Sequence, residues 1–424
     1  MTFREDFIDF IDHSLTPAHF TQIARSKLLK AGYTEINENV KNENVPDKFF
    51  VIRQHRAIVA VNRTNFDSGV LIGAHIDSPV FKISRNSNGF NLGAECYDVF
   101  RYGGGTWMTW MDRDLRIAGR AIFQKDEQFC SKIIQSEKAV CTIPSLAVHL
   151  RSRSSLQPQL VESNFHPIFA LKDSDDKKST LDSIVCQLCE CEENDLIDYD
   201  ISLVPNQKAS VTGITGEFVH SARLDDLSCA IPCFESFLSI DRPSTGTCVF
   251  IGYDNEEIGS GSRCGARSDL VERVLELAGT DHSFFHRSII ISSDVNQGYN
   301  PNFDKHYNET HRGSLGQGLL WGFNPNMYLS TTMPPYSFVQ KIADELHIPI
   351  LPFTDKPFTA SGSTMGQFFA MKFGTTIIDI GVPLLAMHSI RELGSFVDIE
   401  YMYKLCKAIY EHVGDVQDFR KSID

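Results

Sequence analysis

Histidines and carboxylates recur where apolar runs of this chain give way to loops. In chain order these places are Gly73-Ala74-His75-Ile76-Asp77-Ser78-Pro79, Tyr253-Asp254-Asn255-Glu256-Glu257-Ile258-Gly259, Ser292-Ser293-Asp294, and Gly381 through Met387-His388; to them is added Arg223-Leu224-Asp225-Asp226, just before a helix. Imidazole nitrogen mixed with carboxylate oxygen is the donor set of a divalent-metal site, zinc above all. Each piece alone has a plainer reading. His75 could be a hydrogen-bonded core histidine, Asp225-Asp226 charges at a helix N-terminus, Glu256-Glu257 a solvated pair, Asp294 a loop cap and His388 a packing residue. Their joint occurrence at strand exits favours one shared site. Two spacings sharpen it. In extended chain, residues i and i+2 point the same way, so Asp77 can hold the His75 ring by its second nitrogen. Glu256 and Glu257 diverge in direction, which suits one to ligating metal and the other to moving protons.

Such residues need elements that bring them together. The apolar runs Gly69 to Ala74, Thr247 to Gly252, Ser288 to Ser292, Ile348 to Phe353 and Thr375 to Ile380 read as buried strands. Helical patterns at Leu227 to Phe237, Tyr336 to Leu346, Ser363 to Lys372 and from about Asp398 alternate with them, and another helix is expected near Ser262. That rhythm predicts an α/β fold, a three-layer sandwich around a mostly parallel sheet, whose ligands gather at the carboxyl ends of strands. Thr16-Pro17 opens an earlier helix with Phe20, Ile23, Leu28 and Leu29 on one face. The stretch Leu92 to Leu203 differs: it carries Gly103-Gly104-Gly105, alternating runs such as Leu115 to Phe123, a helical stretch Leu181 to Glu190 and the polar segment Lys172 to Ser179. The expected organisation is a catalytic domain (1–88 and 212–424) interrupted by a β-rich dimerisation or insert domain (89–211).

Longer stretches make the chain resemble a known family, the aspartyl aminopeptidases, which are di-zinc metallo-aminopeptidases. The matches are Gly73 to Pro79, YGGGTWMTWMDRDLRIAG from Tyr102, PSLAVHL from Pro144, Arg223-Leu224-Asp225, DNEEIGSGS from Asp254, NFDKHYNETHR from Asn302, SGSTMG from Ser361 and LAMHSIRE from Leu385. The resemblance covers essentially the whole chain. It implies one metal held by His75 and Asp294, a second by Glu257 and His388, and Asp225 bridging them. It further implies Glu256 as general base, Asp77 as the partner of His75, His149 as a residue reaching a neighbouring subunit's active site, and Lys305 as the contact for an acidic substrate side chain. The cofactors implied are two zinc ions per subunit, with manganese or cobalt also compatible, and the assembly implied is a homo-oligomer, a tetrahedral dodecamer built from dimers. The chain departs from the family pattern at Asp226, where many relatives have asparagine, and at Gln297 and Asn300, where they have histidines. The function expected is therefore a peptidase removing N-terminal residues, Asp or Glu first among them. A broad or neutral preference stands as the alternative, beside a related di-zinc amidase or carboxypeptidase and a non-catalytic assembly protein.

Composition narrows the partners. Forty basic against 54 acidic residues give a net charge of −14, the wrong sign for a nucleic-acid surface. No apolar run approaches the roughly 20 residues of a membrane span, and Met1 to Ser14 lacks the apolar core of a signal peptide, so a cytoplasmic protein is expected; peptide substrates are what the resemblance implies. The 11 cysteines show no disulfide framework; Cys186, Cys189 and Cys191 cluster without a second pair or a histidine group to complete a zinc site.

Overall fold

The structure, a computed structural model, describes residues 2–39, 44–84, 93–150, 164–171, 180–356 and 362–423. It divides into two compact units. One comprises Met1–Ser78, Ala209–Met387 and Glu392–Asp424, the other Pro79–Lys208 and His388–Arg391. The expected border at 88/89 and the polar segment 172–179 lie outside the described residues.

The first unit is built on a nine-stranded sheet, named β1 to β9 in chain order: Thr34–Glu35, Lys48–Arg53, Ala57–Arg63, Gly69–His75, Thr247–Tyr253, Ile289–Ser293, Leu319–Gly322, Ile350–Phe353 and Ile377–Gly381. Their order across the sheet is β1-β2-β3-β5-β4-β6-β9-β7-β8. The central pairs β5/β4, β4/β6 and β6/β9 are parallel, whereas β2/β3, β3/β5 and β9/β7 are antiparallel. The central strands are apolar along nearly their whole length because both faces are covered. Successive residues feed opposite layers: Val70 and Ile72 join a core with the helices Phe3–His13, Pro17–Lys30, Leu224–Leu238 and Phe396–Glu411, while Leu71 joins one with Leu270–Leu277 and Gly366–Phe373.

Two local expectations need correction, and one strand gives no sequence signal. Leu29 leaves the buried face of its helix and is 42% exposed, since Phe20, Ala24 and Leu28 already fill it. No helix begins near Ser262: the chain makes a 3-10 turn at Glu256–Ile258, and the helix starts at Leu270. Strand β7, too short to show a period, was not anticipated.

The second unit holds a five-stranded antiparallel sheet in the order Phe100–Tyr102, Val80–Ser84, Leu196–Pro205, Leu115–Lys125, Gln128–Gln135. Phe81, Trp110, Ile117, Val185, Ile201 and Leu203 form its core, to which the helix Leu181–Cys189 contributes.

Candidate metal centre

Strand register creates the site in the first unit. His75 pairs with Tyr253 at the end of β5, and Gly73 with Ser292 near the end of β6. The exits of three adjacent strands therefore lie side by side, where ligands of α/β sheets collect. Asp225 and Asp226, joined by a cis peptide, enter the helix Leu224–Leu238 with non-helical backbone angles. His75 Nε2 lies 3.1 Å from Asp225 Oδ1 and 3.7 Å from Asp294 Oδ1. A tetrahedral ion with bonds of about 2.0–2.1 Å holds its donors about 3.3 Å apart. The donor types and their spacing fit such an ion. Asp226 belongs to the same group, whose ligand atoms lie within 4.8 Å of one another.

A network of backbone donors fixes these side chains. His75 Nδ1 faces the Asp77 carbonyl oxygen at 3.1 Å and the Asp77 carboxylate at 3.4 Å, which directs Nε2 to the ligand side. The same Asp77 carboxylate accepts from the N–H groups of Glu256 and Glu257, at 3.2 and 3.3 Å. One buried side chain thus couples the His75 ring to the turn that carries both glutamates. That turn starts at Asn255, in the left-handed region at φ +66°, with its side-chain oxygen accepting from Ser262 Oγ at 2.7 Å. Glu257 brings a carboxylate oxygen within 4.8 Å of an Asp225 oxygen. Buried Glu392 accepts from the Asp225 N–H at 3.1 Å, and Ser78 Oγ donates to the Asp225 carbonyl at 2.7 Å.

The electrostatics are those of too much negative charge in too little water. Burial pushes the Glu256 carboxyl up to about 8; Asp294, Asp77 and Asp225 add to the rise and His75 opposes it. Burial by itself disfavours a charged His75 ring, but Asp225, Asp294 and Asp77 prevail and hold its pKa well above the ordinary value. Asp226 is raised likewise, by burial first and then by Asp294. A divalent cation relieves all three.

The chain matches, over residues 10–410, the family described as Aminopeptidase I zinc metalloprotease (M18). It belongs to the M18 aminopeptidases. Among its relatives is a probable M18 family aminopeptidase 2 from Pseudomonas aeruginosa, 31% identical across 96% of this chain and 97% of that one. Another is a Caenorhabditis elegans aspartyl aminopeptidase, 30% identical across 97% and 96%. Yeast aminopeptidase 1 superposes with a TM-score of 0.85 at 27% identity, covering 98% of each chain. The mApe1 dodecamer of S. cerevisiae gives 0.86 at 27%, covering 98% and 97%. The protein is accordingly a metal-dependent aminopeptidase, a hydrolase of the zinc class.

The remaining residues of this M18 aminopeptidase are placed as follows. In the second unit, His388 has φ +64° and its Nδ1 lies 2.5 Å from the Gly104 carbonyl oxygen; donation there makes Nε2 the basic nitrogen. His149 occupies the exposed 3-10 turn Val148–Leu150. In the first unit, Lys305 is exposed on the turn Pro301–His306, and its carbonyl accepts from Lys356 Nζ. Asn300 caps that turn, accepting from the Asn302 N–H at 3.0 Å, and Gln297 is exposed on a two-residue strand. Cys186 and Cys189 are buried, Cys191 is half-buried, and none belongs to a metal-ligating group among the described residues. Sequence reasoning passed over Glu392 and the support role of Ser78, although both lie inside the family-like segments; their partners are backbone groups, which side-chain patterns do not advertise. Among the described residues, no helix is long and apolar enough to cross a membrane.

Proposed function

We propose that the enzyme removes single residues from peptide N-termini with two divalent ions, zinc by family. His75 and Asp294 hold one, Glu257 and His388 the other, and Asp225 bridges. The observation that carries the mechanism is the Asp77 carboxylate, hydrogen-bonded to the N–H groups of Glu256 and Glu257 while facing the ring of His75. When bound, such ions lower the pKa of a coordinated water and polarise the scissile carbonyl. Glu256, on the turn that Asp77 anchors, takes the water's proton and delivers it to the departing amine. The surplus of carboxylates offers the substrate's α-ammonium a partner, which favours exopeptidase over endopeptidase action.

Asp and Glu are the proposed N-terminal residues, with the exposed Lys305 ammonium as the counter-charge; the name of the nematode relative supports this. The exposed Gln297 and the capping use of Asn300 favour a second reading, a broader preference. Relative rates on Asp-, Glu-, Leu- and Lys-aminoacyl substrates separate the two, and cleavage of N-blocked substrates would instead indicate an amidase or carboxypeptidase. Manganese or cobalt suits the same ligands. We place the enzyme in the cytoplasm, as a homo-oligomer built through the second unit. The yeast dodecamer supports that assembly, as does the exposed apolar surface around His149: Leu146 at 47%, Val148 at 68% and Leu150 at 72%.

The decisive variant is Glu256→Gln. It should retain zinc while kcat falls on the order of 10²–10⁴-fold. Wild-type turnover would remove Glu256 as the base.

A further inference from the structure

Next to the turn that carries the proposed base stands a carboxylate to which the proposed chemistry gives no task. Asp254 directly follows β5 and has no exposed surface. Its Oδ1 accepts from the Asn255 N–H at 2.7 Å, and its Oδ2 accepts from Arg56 Nε. Arg56 closes the short turn between β2 and β3, in which Gln54 and His55 both lie in the left-handed region, at φ +54° and +59°. The tip of that hairpin meets the loop after β5 again further along. Arg53 Nη1 donates to the Arg263 carbonyl at 3.1 Å and to Asp269 at 2.7 Å, and the Cys264 thiol donates to the Arg53 carbonyl at 3.7 Å. Asp254 donates its own N–H to the Cys264 carbonyl at 3.1 Å, which closes the loop on itself.

We propose that Arg56, acting through Asp254, is a positioning residue for Glu256. The proposal rests on reading Glu256 as the base. Three consecutive amides of the turn are each held by a buried carboxylate: Asn255 by Asp254, and Glu256 and Glu257 by Asp77. Asp77 also faces the His75 ring, so it ties the turn to the metal ligands. Asp254 ties the turn to the β2–β3 hairpin instead, because Arg56 holds its second oxygen. The turn is thereby fixed from two sides, and both fix the direction in which Glu256 leaves the backbone. Asp254 and Asp77 also repel one another across the turn, and Arg56 supplies the opposing charge. Without the guanidinium that repulsion is unopposed and moves the start of the turn. His75, Asp225 and Asp294 are held by other contacts, so the loss should fall on proton transfer and not on the ion they hold.

The test is the full-length, zinc-loaded enzyme carrying Arg56→Ala, alone and combined with Glu256→Gln. Arg56→Ala should keep wild-type zinc by elemental analysis and leave KM nearly unchanged. Its kcat should fall on the order of 10–100-fold, the scale expected when a reacting group is misplaced by about 1 Å or less. Added to Glu256→Gln, the same change should cost little further, since the group it positions is already gone. Wild-type kcat in Arg56→Ala would overturn the proposal, as would losses that simply multiply in the double variant, because Arg56 would then act elsewhere. A lowered melting temperature with kcat preserved would mark the ion pair as merely structural and overturn it too. If Arg56→Ala does not fold, Asp254→Asn decides: a slower kcat with zinc retained supports the proposal, and wild-type kcat overturns it. The underlying reading fails separately, through wild-type turnover in Glu256→Gln alone, whereas a slow Glu256→Gln beside a fast Arg56→Ala removes only the positioning role.

Discussion

Gly381 offers a sharp test of how strictly backbone spacing controls this site. It ends β9, and a Cβ built on it would stand 1.7 Å from the Asp294 carbonyl oxygen and 2.5 Å from the Asp294 carbonyl carbon. Non-bonded heavy atoms rest about 3.5 Å apart, so Gly381→Ala obliges the Asp294 backbone to retreat on the order of 1.5–2 Å. Metal–ligand bonds tolerate about 0.2 Å, and misplacement by about 1 Å costs on the order of 10²-fold in rate. Overpacking itself costs about 1–3 kcal/mol. The expected variant is folded, melts a few degrees lower, has lost much of its zinc and turns over at roughly 1% of wild type. Gly394→Ala is the control, because its new Cβ meets its nearest side chains at 3.5 and 3.7 Å, ordinary contact. Metal content by elemental analysis, a melting curve and a rate on one aminoacyl substrate complete the assay. Wild-type zinc and rate in Gly381→Ala would refute the argument that β9 crowds the ligand loop.

Zinc uptake should release protons at pH 7. His75 must give up a proton that its raised pKa retains, and Glu256, up to about 8 in the metal-free chain, gives up another as the cations arrive. Binding should weaken as pH falls from 8 to 6, by roughly tenfold per pH unit per proton released, and calorimetry in buffers of different ionisation enthalpy reads the number; a zero slope would contradict the assigned directions. Arg53, 3% exposed, meets Glu38 at 2.5–3.0 Å and Asp269 at 2.7 Å. Arg53→Met strands the buried Glu38 carboxylate and should cost about 3–5 kcal/mol, much of it recovered by adding Glu38→Leu; denaturant titration within about 1 kcal/mol of wild type for the single variant would show that the pair contributes little. His149→Ala should slow turnover without loss of zinc, and an unchanged rate would argue against a shared active site.

The sequence was most informative where a side chain announces its own chemistry. His75, Glu257 and Asp294 stood out as candidates because a buried strand rarely ends in an imidazole or a carboxylate without cause, whereas Asp225, just before a helix, and the proposed roles of all four came from the family resemblance. The supports were far less legible. Glu392 reaches a backbone amide 167 positions away in the chain, and Gly381 matters only because β9 lies against β6; both depend on register, which a single sequence does not state. Asp226 could be noticed as a residue, but its work of accepting from two strands at once belongs to the folded arrangement. Asn300 shows the converse. Its place in a family-like segment drew attention to substrate recognition, yet locally its side chain does the ordinary work of capping a turn.

Connectivity explains why the ligands stand so far apart in the chain. The second unit leaves the first directly after Ser78 and returns it at Ala209, so it is inserted just beyond His75 and Asp77 and before Asp225. An insertion inside β4 would have broken the register that aligns His75 with Asp294, whereas one at the strand's carboxyl end leaves every ladder intact, since loops tolerate length at small entropic cost. The same end of the sheet is where substrate must arrive. On the proposed reading, the first ion's ligands His75, Asp225 and Asp294 are all positioned within the first unit, by β4, β6 and the Asp77 contacts. Changes at Lys305 or His149 should then move substrate preference or rate with zinc retained, and a change at Gly381 should move zinc.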